Sequence, residues 1–247
     1  MSGHSKWATI RRAKGKTDAA RGRLFTKIGR EIAVAVKMGG SDVNSNSRLR
    51  DAVAKAKSNN MPNDNIQRSI KKASGELNSI NYEEITYEGY GVGGSAVIVK
   101  CLTDNKNRSA GDVRHAFDKL GGSMGSTGCV SYLFDKKGIL ELVKTPDMVE
   151  DEIIMMCLEA NADDVIDEGD YYEIITSPSN FNEVRDNLQA QGLNFENAEV
   201  TLVPQTLIDL KPEQQSTFIK MIDMLEELDD VQEVYHNVNL PDDEDEE

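Results

Sequence analysis

The sequence has little of what would staple a secreted fold or cross a bilayer. Its 247 residues hold three cysteines, three histidines and one tryptophan. Cys101, Cys129 and Cys157 are widely spaced, odd in number and set among apolar neighbours, which argues against a disulfide framework and fits a reducing compartment. The Asn107-Arg108-Ser109 sequon is then a chance match. Long apolar runs are missing, since stretches such as Ile153-Ile154-Met155-Met156-Cys157-Leu158 fall far below the roughly 18 residues of a membrane span. The N-terminal Met1-Ser2-Gly3-His4-Ser5-Lys6 lacks the apolar stretch of a secretory signal, so a cytoplasmic protein without a membrane partner is expected. His4, His115 and His236 show no HExxH spacing and no paired cysteines, which argues against zinc.

Signatures of catalysis are equally scarce. Gly89-Tyr90-Gly91-Val92-Gly93-Gly94 satisfies G-x-G-x-x-G, but the residues after it, Ala96-Val97-Ile98-Val99, read as a strand instead of the helix a dinucleotide site needs. A hairpin turn is the expectation. Gly121-Gly122-Ser123-Met124-Gly125-Ser126-Thr127-Gly128 has no lysine at the Walker position and again runs toward a strand. The acidic cluster Asp163, Asp164, Asp167, Glu168 and Asp170 lacks the alternation of an EF-hand, and Glu168-Gly169 fits a hairpin. No nucleophile sits beside a recognisable base. The expectation is therefore no enzyme and no cofactor.

What the chain does have is charge, sorted by position. Residues 1–75 carry 17 Lys and Arg against 5 Asp and Glu, whereas the remaining 172 residues carry 11 against 38. A basic segment on an acidic protein is the footprint of a polyanion partner, with the acidic part orienting the encounter.

Apolar residues at helical spacing (Leu24, Phe25, Ile28, Ile32, Ala35, Val36) predict a helix from Asp18 to Met38, stopped by Gly39-Gly40. A second helix fits Ser47–Ser58, broken by Asn59-Asn60-Met61-Pro62, and a third runs to Ser74 with Asn63 as N-cap. Strands are expected at 84–88, 95–102 and 129–134, with a helix at 106–120. Residues 137–203 then read β-α-β-β-α-β, the ferredoxin-like plan. A last strand-helix-strand, at 207–210, 212–228 and 231–238, completes the earlier unit. The expected fold is α+β and multi-domain: a three-helix bundle followed by two ferredoxin-like α+β domains, one inserted in the other. The limits are 1–75 for the basic arm and bundle, 80–136 with 204–240 for the discontinuous domain, 137–203 for the insertion, and 241–247 for a solvated acidic tail.

The candidate nucleic-acid contacts follow from the same charge. The arm sets Trp7 among Lys6, Arg11, Arg12, Lys14 and Lys16, where cations neutralise phosphates and the ring either stacks on a base or docks on the bundle. Arg23, Lys27 and Arg30 form a stripe on the first helix, with Arg48 and Arg50 on the second. Arg68, Lys71 and Lys72 make the third helix either a groove-reading element or a solvated face.

Several blocks match a known family. They are Gly3-His4-Ser5-Lys6-Trp7, Arg23-Leu24-Phe25-Thr26-Lys27, Arg48-Leu49-Arg50, Asn60-Met61-Pro62 with Asp64-Asn65-Ile66, Tyr87-Glu88-Gly89-Tyr90-Gly91, and Leu102-Thr103-Asp104-Asn105 through Val113-Arg114-His115-Ala116-Phe117. The chain resembles the YebC/PmpR family over nearly its whole length. That resemblance implies three domains with a helical first one. It also implies one of two roles: a DNA-binding transcriptional regulator, as bacterial members are described, or a ribosome-associated, RNA-binding translational activator, as mitochondrial relatives are described. The basic bundle serves either.

Overall fold

Each helix of the basic third is set by its apolar spacing and by a local stop. The computed structural model describes residues 18–75 and 81–240. Helices α1 (Asp18–Gly39), α2 (Ser47–Ser58) and α3 (Asn63–Ser74) share one small core, in which Ile28, Ile32, Leu49, Val53, Ala56, Ile66 and Ile70 meet. Asn46 fixes the α1–α2 corner. Its Oδ1 accepts the Leu49 N–H at 3.1 Å as an N-cap, while its Nδ2 donates to the carbonyls of Ala35 at 2.7 Å and Gly40 at 2.8 Å. A Cβ on Gly39 would lie 2.7 Å from this buried amide, and Gly40 turns the chain at φ 84°. The expected glycine stop thus has a steric cause. The α3 N-cap is Pro62 and not Asn63, and it makes no side-chain bond.

The chain folds as two compact units. One comprises residues 18–75, 81–131 and Leu210–His236, and the other Tyr132–Asp209 with residues 237–240. In the first, β1 (Glu83–Tyr90), β2 (Ala96–Thr103), β3 (Ser123–Met124) and β9 (Val231–His236) form a sheet of order β3-β1-β2-β9 with antiparallel neighbours. Helices α4 (Lys106–Lys119) and α7 (Pro212–Glu226) belong to this unit. The apolar run of β2 is buried along nearly its whole length, as a central strand requires. The glycine segment between β1 and β2 is the expected hairpin: Gly91 N–H donates to the Ser95 carbonyl at 2.7 Å, and Gly93 and Gly94 take φ 69° and 78°.

The second unit contains β4 (Phe134–Val143), α5 (Glu150–Glu159), β5 (Asp164–Asp167), β6 (Tyr171–Thr176), α6 (Phe181–Ala190) and β7 (Asn197–Pro204). Its sheet order, β5-β6-β4-β7, is that of the ferredoxin-like plan. Leu140, Leu142, Tyr172 and Ile174 from one sheet face pack on Ile153 and Cys157 of α5 and on Phe181, Val184 and Leu188 of α6.

Two expected strands differ. Residues 129–134 do not form one. Ser131–Leu133 is a 3-10 turn, because the Glu88 carboxylate takes the N–H groups of Gly128, Val130 and Ser131 that a ladder would need. The third strand of the first sheet lies earlier, at β3. The strand expected at 207–210 is reduced to β8 (Ile208–Asp209), which pairs in parallel with β10 (Val238–Asn239) and joins neither larger sheet. The α+β class with a helical N-terminal module holds.

Candidate nucleic-acid interface

The basic residues of the three helices divide into engaged and open sets. On α1, the predicted stripe turns toward the segment that follows α7. Arg30 Nη1 donates to the carbonyls of Leu102 at 3.2 Å and Asp229 at 2.8 Å and to Asp230 Oδ1 at 2.6 Å. Lys27 Nζ donates to the Glu226 carbonyl at 2.7 Å, where carbonyls at a helix C-terminus favour a cation. Arg23 lies 3.8 Å from Glu227. This stripe is committed within the chain.

Asp230 is the hub of that commitment. Its Oδ2 accepts from Thr103 Oγ1 at 2.9 Å, Arg108 Nη2 at 2.7 Å and Ser109 Oγ at 2.7 Å. Burial alone would raise the Asp230 pKa. The bonds from Arg108, Ser109, Arg30 and Thr103 outweigh it and hold the carboxylate at about 2. An open cleft of about 360 Å³ borders the hub, lined by Arg30, Asp104, Arg108, Asp112 and Asp229 among others. Both arginines there already face carboxylates, so the cleft is no phosphate site.

On α2, Arg48 pairs with Glu84 and donates to Met38 Sδ at 3.0 Å, and Arg50 donates to the Asn44 carbonyl at 2.8 Å. Both remain exposed, and exposed pairs of this kind give way readily to a stronger anion. Lys55, by contrast, is half-buried between Glu31 at 2.8 Å and Glu233 at 3.8 Å. On α3, Arg68, Lys71 and Lys72 are exposed and their side chains carry no hydrogen bond or ion pair among the described residues. Ile66 and Ile70 occupy the opposite, buried face. At spacings of three and four these cations share one helical face. Lys6, Trp7, Arg11, Arg12, Lys14 and Lys16 lie outside the described residues.

The second glycine loop resembles an anion nest, but its anion is built in. Glu88 Oε1 accepts from Gly128 N–H at 2.8 Å, and Oε2 from Val130 at 3.0 Å and Ser131 at 2.8 Å. The Tyr90 hydroxyl donates to the Cys129 carbonyl at 2.8 Å. These donors are not available to a phosphate. The cysteines are free, and burial pushes the Cys101 and Cys157 thiols up to about 12 and about 11, away from nucleophilic chemistry. No described helix is long and apolar enough to cross a membrane.

Sequence reasoning missed Glu88 and Asp230. Nothing distinguishes Asp230 from Asp229 in the sequence. The one signal was indirect: Thr103 and Ser109 are hydroxyl residues on apolar faces, and buried hydroxyls need partners.

The TACO1/YebC N-terminal domain matches residues 5–76, and the second and third domains of the same family match residues 82–238. The chain belongs to the TACO1/YebC family. A relative from Clostridium botulinum is 58% identical over 98% of both chains, and one from Thermoanaerobacter pseudethanolicus is 54% identical over the full length of both. Each is named a probable transcriptional regulatory protein. The crystal structure of a conserved hypothetical protein from Aquifex aeolicus is similar over 98% of this chain and 99% of that one, with a TM-score of 0.82 at 43% identity. The TACO1/YebC assignment therefore covers both the basic bundle and the acidic units.

Proposed function

We propose that the chain is a cytoplasmic, non-catalytic regulator of gene expression that binds duplex DNA through its basic N-terminal module, residues 1–75. Residues 80–136 with 204–240 and the insertion 137–203 form the acidic body of this reading, with 241–247 as its tail. The observation that carries it is the open cationic face of α3. Arg68, Lys71 and Lys72 point to solvent without partners among the described residues, on a segment whose positive charge opposes the rest of the chain. Arg48 and Arg50 extend the contact, and Lys6, Trp7, Arg11, Arg12, Lys14 and Lys16 add the arm. Arg23, Lys27 and Arg30 take a supporting part, since their charges already serve the chain itself. The names of the relatives point the same way.

Phosphate contacts release counterions, so the logarithm of affinity falls with the logarithm of salt by about 0.9 per contact on duplex DNA. Titration of labelled duplex by the full chain across a salt series, followed by fluorescence anisotropy, measures that slope. R68A/K71A/K72A should reduce its magnitude by about 2.7 and weaken binding on all sequences alike. An unchanged slope would place the contact elsewhere. Structured RNA outcompeting duplex DNA would replace the transcriptional reading with a translational one.

A further inference from the structure

The β4–α5 segment exposes more apolar surface than its own unit covers. Seven large apolar side chains are exposed among the described residues, and four of them, Val143, Val149, Met155 and Leu158, fall between residues 143 and 158. Helix α5 is apolar on more than one side. Ile153 and Cys157 enter the core and Met156 packs against it, but Met155 and Leu158 stay 61% and 53% exposed. Met155 and Leu158 thus form an apolar pair outside the core-facing stripe of the helix.

The rim of this face has one sign. No Lys, Arg or His occurs between Lys144 and Arg185, and Asp147, Glu150, Asp151, Glu152 and Glu159 are exposed around the apolar residues. Lys144, the nearest cation in sequence, is bound to Asp167. Residues 132–209 as a whole carry four Lys and Arg against eighteen Asp and Glu.

We infer that the outer face of α5 docks a basic, amphipathic segment of another protein, with its large apolar side chains on Met155 and Leu158 and its cations on the surrounding carboxylates. Charge complementarity selects this occupant. Nucleic acid and anionic lipid are repelled by the rim, and a two-fold contact with a second copy would set Glu152 and Glu159 against like charges. None of the α3 cations enters this inference, so it stands independently of DNA binding.

The test uses the full chain with methyl-labelled methionine and three fluorescent peptides: a helical lysine–leucine peptide with leucines on one face, its scrambled counterpart, and a glutamate–leucine version. The amphipathic basic peptide should bind saturably at physiological salt and shift the Met155 methyl resonance. M155S/L158S should weaken it about tenfold, and E152Q/E159Q should weaken it with a flatter salt dependence while leaving the melting temperature unchanged. Equal binding of the scrambled peptide, equal affinity of both variants, or a dimer of the wild-type chain that M155S/L158S dissolves would each overturn the inference.

Discussion

Glu88 places a carboxylate in a buried position that would be costly without compensation. Burial pushes its pKa up, and the N–H groups of Gly128, Val130 and Ser131 reverse the shift. Three backbone donors converge on two oxygens, an arrangement a neutral amide cannot copy, because its NH2 would face another donor. E88Q should therefore destabilise the chain by about 2 kcal/mol or more. Amide exchange at Gly128, Val130 and Ser131 should accelerate beyond the global change. Unaltered exchange there would mean that the loop is held by other contacts. This role was not legible from sequence, since Glu88 reaches partners some forty residues away.

Among the elements, α1 and α3 look alike in sequence and differ in use. Both carry cations at helical spacing, and the limits of α2 and α3 were readable because periodicity and breakers are local. The docking of the α1 stripe was not, because its partners at 226–230 lie about two hundred residues on. Strand limits failed for a similar reason: residues 129–134 have strand composition, but their N–H groups belong to Glu88. The α1 anchorage has a pH signature. The Asp230 pKa of about 2 is depressed below that of an unfolded aspartate, so its contribution is fully present above about pH 4 and is lost as pH falls toward 2. The charge should contribute about 2 kcal/mol. Urea unfolding of wild type and D230N between pH 6 and pH 2.5 should show that gap narrowing as the solution is acidified. A gap independent of pH would show that the Asp230 charge does not hold α1.

Across the whole molecule, the division of charge along the chain was the most informative property of the sequence, and the structure refines its meaning. Part of the positive charge is consumed internally, by the carboxylates of Glu227, Asp230 and Glu233 and the backbone carbonyls of Glu226 and Asp229. Among the described residues, Arg68, Lys71 and Lys72 of α3 stay open and Arg48 and Arg50 of α2 are exposed in weak contacts, and the α3 face is the centre of the proposed function. In-cell crosslinking of the full chain, followed by sequencing of the bound nucleic acid, tests it most directly. Genomic DNA should be recovered with the wild-type chain and lost in R68A/K71A/K72A. Recovery of RNA alone, or of DNA in undiminished yield from the triple variant, would contradict it.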